Sequence, residues 1–108
     1  YAISRRDIPL AQQAIHAGHA AVEYAFSYGR PPDHHPSYVH LTIRDKEDLL
    51  ALQQMLHSEG FDTSEFHEPY KDWGLTAISC LLTEEHRPLL APLTLWSQEL
   101  QHEHHRNP

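Results

Sequence analysis

The sequence predicts a single α/β domain in which helices flank a small four-stranded mixed β-sheet, with elements in the order β-α-β-α-β-β. Three observations carry this prediction. Apolar residues recur at helical spacing in two segments, short alternating or β-branched segments lie around them, and no repeat or linker divides the 108 residues. A chain of this length forms one domain with its own core. We place the domain at 1–100 and expect a frayed tail at 101–108.

The first half of the chain is predicted to form a strand, a helix, a loop and a second strand. Tyr1–Arg5 has the pattern of a strand, and a helix follows from about Pro9, a residue tolerated in the first turn, to about Tyr28. Its prolines make Gly29–Pro36 a loop, because proline cannot continue a helix. The second strand is Tyr38–Ile43, which alternates and contains β-branched residues.

The second half is predicted to contain a helix, two strands and an irregular apolar segment. Asp45 can cap the second helix, whose apolar residues recur at helical spacing, and Gly60 is placed to end it. A short third strand follows from Gly60 to His67. The fourth strand, Gly74–Leu82, is apolar enough to be buried on both faces. Two prolines in Pro88–Trp96 predict a short helical turn followed by an extended edge segment.

The first predicted helix separates polar from apolar side chains. At 100° per residue, a sector of about 60° contains Gln12, His16, His19 and Glu23. The neighbouring sector contains Ala11, Ala14, Ile15, Gly18, Val22, Ala25 and Phe26. We expect this second sector to face the core and the polar sector to lie at the edge of the contact, where a site can form.

The charge balance argues against a broad surface for nucleic acid. Asp and Glu total 15 and Lys and Arg total 8, which gives a formal net charge of −7. Proteins that bind nucleic acids through phosphates usually carry a basic surface. Basic residues still cluster at Arg5, Arg6 and Arg30, and at Arg44 and Lys46, so the sequence is compatible with a local basic patch.

Cysteine content and hydropathy bear on the location of the protein. The single cysteine, Cys80, excludes an intramolecular disulfide and is expected to be a core thiol. We find no signal peptide and no apolar run near 18 residues. The expectation is therefore a soluble, cytoplasmic protein without membrane contact.

Two sets of residues resemble the motifs of a known enzyme family. Arg6–Ile8, followed by Gln12–Ala14 and Gly18–Ala21, is similar to the opening of the type 2 peptidyl-tRNA hydrolases, the bacterial and archaeal type. Phe66–Pro69 and Leu75–Ile78 resemble the Phe-x-Glu-Pro-Asp and Leu-Thr-Ala-Ile stretches of short bacterial and phage members. The resemblance implies a four-stranded mixed sheet flanked by helices, a homodimer, and hydrolysis of the ester in peptidyl-tRNA without a cofactor.

Three positions differ from the family pattern. Gln12 stands where many members carry a basic residue, His16 stands where the family has a glutamine, and Tyr70 stands where an acidic residue follows Glu-Pro. The lost basic residue is a cation that could hold a phosphate or stabilise an oxyanion.

The reaction implied by the resemblance suggests roles for five residues. Ester hydrolysis needs an activated water, donors for the oxyanion and help for the leaving alkoxide. We assign His19 as general base or water-positioning residue. Thr76 and Gln12 are candidate hydrogen-bond donors, and Glu68 is a candidate for fixing a histidine tautomer. His16 could take part of the role of the family glutamine.

Two further residues are candidates for contact with the substrate, and the sequence lacks the usual metal-binding motifs. Arg6 and Trp73 are candidate substrate-binding residues, although packing is the alternative for Trp73, whose ring could otherwise stack on a base or ribose. The sequence contains no cysteine pair and no His-Glu-x-x-His helix, so no native metal site is expected.

The same residues are also compatible with structural roles and with other functions. The histidines could be packing residues, Thr76 an ordinary strand residue, and Glu68–Pro69 a turn. One alternative function is a non-catalytic homodimeric binding or interaction module of the same fold. Another is an esterase or amidase for a small acylated substrate, which the negative charge would suit better than tRNA.

Overall fold

Two helices and a five-stranded sheet form the domain in the computed structural model, which describes residues 1–29 and 37–98. The elements in chain order are β1 Ala2–Arg5, α1 Leu10–Tyr28, β2 His40–Ile43, α2 Lys46–Ser58, β3 Thr63–Glu68, β4 Gly74–Cys80 and β5 Thr94–Leu95. Short 3₁₀ helices cover Tyr70–Asp72 and Glu84–Leu90. The α/β class is confirmed. Most of the predicted loop and the predicted frayed tail at 101–108 lie outside the described residues.

The sheet is mixed, with strand order β3-β4-β1-β2-β5. β1 and β2 are parallel, and every other neighbouring pair is antiparallel. The prediction of four strands is wrong by one, because Thr94–Leu95 pairs with Thr42 and Leu41 at the edge of β2. Pro92 ends the preceding helical turn, and the extended chain after it meets the unpaired backbone groups of an edge strand.

Large aliphatic side chains fill the layer between the sheet and α2. The buried cluster comprises Ile3, Leu41, Ile43, Leu49, Leu52, Leu56, Leu75, Ile78, Cys80 and Leu90. α2 begins where predicted, because the Asp45 carboxylate accepts a hydrogen bond from the Asp48 backbone N–H at 2.9 Å. Burial raises the pKa of the Cys80 thiol to about 11, so the thiol stays protonated in this core.

The opposite face of the sheet is lined by small and polar side chains, and α1 packs on it. Thr63 bonds to Gln53 of α2, whereas its neighbour Ser64 donates to the Ala20 carbonyl of α1. Successive strand residues point to opposite faces, so the two helices cover opposite sides. By the same alternation, Ser4 and Ser79 lie on the α1 side.

The prediction of which side of α1 faces the core is wrong. The residues that α1 buries are Gln13, His16, Ala17 and Ala20. The predicted apolar sector instead faces away from the sheet, and Ile15, Val22 and Phe26 are exposed. A sheet face built from serine, threonine and alanine offers α1 close backbone contact and hydrogen bonds rather than a deep apolar layer.

The layer beside α2 should therefore contribute most of the stability that comes from buried apolar side chains. We expect Leu56→Ala, at a fully buried position, to lower the free energy of unfolding by about 3 kcal/mol. Leu50→Ala, on the same helix at a 37% exposed position, should cost less than about 1 kcal/mol. Urea unfolding of both variants measures the difference, and equal losses would contradict this placement of the core.

His40 lies in the polar layer and should make stability depend on pH. Its Nε2 atom and Ser4 Oγ are 2.7 Å apart in a hydrogen bond, and its ring stacks on Trp96 with 5.2 Å between centroids. Burial lowers the pKa of His40 from 6.5 to about 4, because the charged imidazole loses hydration. The unfolded chain thus binds this proton more tightly than the folded protein does.

We expect neutral His40 to contribute to the free energy of unfolding above pH 6.5. This contribution should be lost as the pH falls to about 4. With partial solvent exposure, the loss should be on the order of 2 kcal/mol. The free energy of unfolding, measured with urea from pH 7 to pH 4, should decline less steeply for His40→Gln than for the wild type. The same substitution at exposed His67 is the control, and parallel wild-type and His40→Gln profiles would refute the assignment.

No helix in the described ranges is both long enough and apolar enough to span a bilayer.

Candidate active site

Side chains from α1, β3 and the start of β4 meet near the carboxyl end of β1. Ligands of open α/β sheets commonly bind at the carboxyl ends of parallel strands. His16 and His19, one turn apart on α1, both contact the ring of Phe66 on β3. Glu68, two residues after Phe66, lies beside His16. Four of the residues predicted for the site, His16, His19, Glu68 and Trp73, are therefore brought together, with Phe66 between the two histidines.

His16 is the buried member of the histidine pair. Its side chain is 1% exposed, and its Nε2 atom lies 3.6 Å from Glu68 Oε2. Its Nδ1 atom has no hydrogen-bond partner among the described residues. Burial lowers the pKa of His16, more than the Glu68 carboxylate raises it, and neighbouring His19 lowers it further. His16 is therefore held in its neutral form at neutral pH.

His19 is the exposed member of the pair. Its ring stacks on Phe66 with 4.9 Å between centroids and 24° between planes. The side chain is open to solvent, so a substrate can reach its nitrogen atoms. The two histidines thus differ in access: His19 can contact a ligand, whereas His16 can act only through neighbouring groups.

Aromatic side chains continue the site beyond Glu68. The Glu68 carboxylate accepts a hydrogen bond from the Tyr70 backbone N–H at 3.0 Å, which fixes the carboxylate at the end of β3. Trp73 lies edge-on to His16, with 6.2 Å between centroids, and Tyr70 lies edge-on to Trp73 at 6.4 Å. Tyr70 is exposed and Trp73 is half-buried, so both rings offer surface to a ligand.

Arg5 anchors the aromatic segment to the sheet. Its guanidinium group makes two hydrogen bonds to the Asp7 carboxylate, at 2.9 and 3.0 Å. The same group donates to the backbone carbonyls of Trp73 and Leu75. The planar fork of arginine suits this paired bonding. Arg5 is buried and was not predicted as a site residue, although Asp7 two positions later was a signal for this pairing.

A β-bulge places Thr76 beneath the site. Ala77 pairs with Phe66 and Leu75 pairs with His67, which leaves Thr76 as an extra residue in β4. Its side chain is fully buried, and its hydroxyl donates to the Phe66 carbonyl at 3.5 Å. In this position Thr76 supports Phe66 and does not reach a ligand.

Two of the predicted site residues lie outside this group of contacts. Gln12 is half-buried, one turn before His16, and makes no side-chain hydrogen bond within the described ranges. Arg6 is exposed and lines a separate depression of about 460 Å³ together with Arg44 and Asp48. Sequence reasoning also missed Phe66 as a contact of both histidines, although it is the first residue of a quoted motif.

Several cations lie near this end of the sheet. Arg44 is paired with Asp45 and Asp48. Within the described part of the chain, Arg6, Lys46 and Lys71 form no ion pair. The Lys46 ammonium lies 3.1 Å from where a Cβ atom on Gly74 would be. Lys71 lies over the Tyr70 ring, 5.6 Å from its centroid. These side chains provide positive charge near the site despite the acidic balance of the chain.

Another depression is remote from the histidines. It has a volume of about 520 Å³ and is lined by residues at the amino end of β1, the carboxyl end of α1 and the segment after β4. Tyr24, Tyr38 and Cys80 contribute to it. None of the residues assigned to ester hydrolysis lines this depression.

The fold and the site define a small α/β domain with a histidine pair near the carboxyl end of its parallel strands. The chain matches no protein-family model, and no curated protein matches it. Over residues 1–29 and 37–98, no group of three or more His, Cys, Asp or Glu side chains is arranged to hold a metal ion. The resemblance to type 2 peptidyl-tRNA hydrolases therefore stays a prediction based on the quoted motifs.

The contact between His16 and Glu68 can be tested by histidine titration. We expect the imidazole of His16 to titrate below pH 6.5, and Glu68→Gln to lower its pKa further, because the substitution removes the nearby negative charge. A pH series of NMR spectra measures both shifts. Glu65→Gln, beside His67 instead, is the matched control. A rise in the pKa of His16 on Glu68→Gln would contradict the arrangement.

Proposed function

We propose that this protein hydrolyses the ester of peptidyl-tRNA, with His19 as the general base. One observation carries the proposal: an exposed imidazole, His19, lies beside a neutral buried imidazole, His16, at a site bordered by aromatic rings and cations. The motif resemblance supports the substrate. The exposed position of His19 supports its assignment to proton transfer, because a general base must reach the attacking water.

The reaction follows from proton transfer at His19. His19 takes a proton from water while the water oxygen attacks the ester carbonyl carbon, which forms a tetrahedral oxyanion. When the bond to the ribose oxygen breaks, the proton held by His19 passes to that oxygen, and the peptide leaves as a carboxylic acid. The products are a peptide and a tRNA with a free hydroxyl.

His16 and Glu68 act as positioning residues in this proposal. A neutral His16 places no positive charge beside His19, so His19 can accept a proton. Glu68 holds the His16 ring from the β3 side. Gln12, one turn before His16 on the same side of α1, is the candidate donor to the oxyanion. Because Thr76 is buried, its proposed role is to support Phe66.

Cations and aromatic rings are assigned to the nucleic-acid part of the substrate. Lys71 lies over the Tyr70 ring and Tyr70 lies edge-on to Trp73, so a phosphate contact and base stacking can occur together there. Lys46 lies near Gly74, the residue that follows Trp73 in the chain. Arg6, which lines the depression near Arg44, extends the positive charge across the ends of β1 and β2. This local charge supports the tRNA substrate in a chain whose net charge is negative.

Release of tRNA from labelled peptidyl-tRNA tests the activity. We expect His19→Ala to lower the rate at least about tenfold, because it removes a general base. The midpoint of thermal unfolding should stay nearly unchanged, because the side chain is exposed. His67→Ala, at an exposed position on β3, is the matched control and should retain the wild-type rate.

Three outcomes would count against the proposal. Folded wild-type protein that releases no tRNA above the buffer rate would favour the non-catalytic module. Turnover of simple N-acyl amino-acid esters without turnover of peptidyl-tRNA would favour the small-substrate esterase. If His19→Ala unfolds the protein, the histidine is structural.

The assigned cations predict a salt-dependent affinity for tRNA. With about three neutralised phosphates, the logarithm of the binding constant should fall with the logarithm of salt concentration with a slope of roughly −2 to −3. Lys46→Gln combined with Lys71→Gln should make this slope less negative by about 1 to 2. Arg87→Gln, an exposed cation on the 3₁₀ helix before β5, is the control. A slope unchanged by the double substitution would show that these lysines do not contact phosphates.

A further inference from the structure

The outer side of β3 is open to pairing with another strand. β3 is the first strand in the order β3-β4-β1-β2-β5, and no described strand pairs with its outer side. The opposite edge of the sheet is β5, which has only two residues. Natural sheets commonly protect an edge by a short strand, by lysine or by proline. β3 has six residues, Thr63–Glu68, and contains neither lysine nor proline.

Hydrogen bonding in β4 shows which of its residues face β3. The Cys80 backbone N–H donates to the Tyr1 carbonyl at 2.9 Å, so the backbone groups of Cys80 face β1. Backbone groups alternate between the two sides of a strand in an antiparallel ladder. The backbone groups of Ser79 and Ala77 therefore face β3.

The same alternation defines the open groups of β3. Ser64 and Phe66 lie opposite the two β4 residues that face β3, so β4 occupies their backbone groups. The alternate residues, Glu65 and His67, direct one N–H and one carbonyl group each to the outer side. The bulge adds a residue to β4 and leaves this alternation in β3 intact. Over residues 1–29 and 37–98, these four groups have no hydrogen-bond partner. We call them the β3 edge.

The β3 edge lies next to His19. Phe66, which stands between the two outward-facing residues, carries the ring on which His19 stacks. Ala21 lies about 160° from His19 around α1 and lines the depression at the amino end of β1 instead. His19 is therefore on the side of α1 that lies above β3. A strand added to the edge would lie in the plane of the sheet, so it would pass His19 without covering the ring.

The charge of this part of the chain favours a peptide over nucleic acid on the β3 edge. Residues 59–70 contain no lysine or arginine and four acidic residues, Glu59, Asp62, Glu65 and Glu68. Like charges repel, so phosphate groups are disfavoured along this edge, whereas the main chain of a peptide carries no charge. Positive charge returns only at Lys71, beyond the carboxyl end of β3.

We propose that the peptide part of peptidyl-tRNA pairs with the β3 edge as an added strand, an inference that rests on the proposed function. Tyr70 and Lys71, which are assigned to the tRNA, follow the carboxyl end of β3. The ester end of the peptide therefore lies at that end, and the added strand runs parallel to β3. Main-chain hydrogen bonds supply the binding, so recognition does not depend on the sequence of the peptide. Side-chain substitutions at Glu65 and His67 leave these main-chain groups in place.

The length of the open edge limits how many peptide residues bind. The Tyr28 hydroxyl donates to the Thr63 carbonyl at 3.3 Å, which closes the edge at its amino end. Pro69 follows the other end and has no N–H to offer. Residues 64–68 remain open, a length of roughly 17 Å, which corresponds to about five residues of an extended peptide.

Substrates of different length and backbone chemistry test the pairing. We expect kcat/KM for peptidyl-tRNA to rise at least about tenfold from one peptide residue to about five, and to stay constant beyond that. Of two neighbouring amides in a bound strand, only one faces β3. Methylating that nitrogen should lower kcat/KM at least about tenfold, whereas methylating its neighbour should change it less than about twofold. A rate that is independent of length, or equal effects at the two nitrogens, would overturn the pairing even though hydrolysis occurs.

Amide hydrogen exchange of the full chain tests the edge without the reaction, so its failure is distinguishable from failure of the proposed hydrolysis. In the free protein, the amides of Glu65 and His67 should exchange quickly and those of Ser64 and Phe66 slowly. An N-acetylated pentapeptide of alternating threonine and valine, at millimolar concentration, should slow the first two. Slow exchange at Glu65 and His67 without the peptide would show that another segment or a second copy occupies the edge. That result, or no slowing by the peptide, would overturn the proposal.

A proline at position 65 removes one hydrogen bond of the edge. The Glu65 N–H points away from β4, so Glu65→Pro should leave the pairing with β4 intact. We expect this variant to bind the pentapeptide at least about fivefold more weakly, with unchanged slow exchange at Ser64 and Phe66. Glu65→Ala keeps the N–H and should bind within about twofold of the wild type. Equal binding by Glu65→Pro and the wild type would contradict the pairing. If Glu65→Pro does not fold, the comparison of methylated substrates decides with the wild-type chain.

Discussion

The two faces of the sheet carry side chains of different size, and this difference determines how each helix packs. Leucine and isoleucine fill the α2 side, whereas serine, threonine and alanine line the α1 side. A helix that packs on small polar residues comes close to the sheet and buries side chains that can hydrogen-bond there. α1 therefore turns Gln13 and His16 inward and leaves Ile15, Val22 and Phe26 outside. The neutral His16 and the exposed apolar side of α1 both follow from this single orientation.

The site depends on contacts that cross the sheet as well as on the orientation of α1. Arg5 joins the end of β1 to the segment at Trp73, and the bulge at Thr76 supports Phe66 from below. These buried groups hold Phe66 and Glu68 against α1 while His19 stays open to solvent. General-base catalysis needs an accessible proton acceptor whose position is fixed by buried neighbours. In the proposed function, the nearby lysines would hold the phosphates of the substrate.

Local signals in the sequence were enough to predict most elements. The Asp45 cap and the alternation in β2 depend only on neighbouring residues, and the structure has α2 and β2 at those places. The orientation of α1 was not predictable in this way, because periodicity defines two sides of a helix without saying which one meets the sheet. A two-residue strand such as β5 is too short to leave a pattern. The contact of His16 with Glu68 joins residues far apart in the chain, and only the motif resemblance suggested their proximity.

His16 is buried beside an accessible His19, and diethyl pyrocarbonate labelling measures this difference in access. The reagent modifies accessible neutral imidazoles, and peptide mapping by mass spectrometry reports the rate at each histidine. We expect folded protein to be modified quickly at His19 and at least about 100-fold more slowly at His16, which reacts only when the structure opens. In urea both rates should become similar. Equal rates at the two histidines in the folded protein would contradict the orientation of α1, and with it the site.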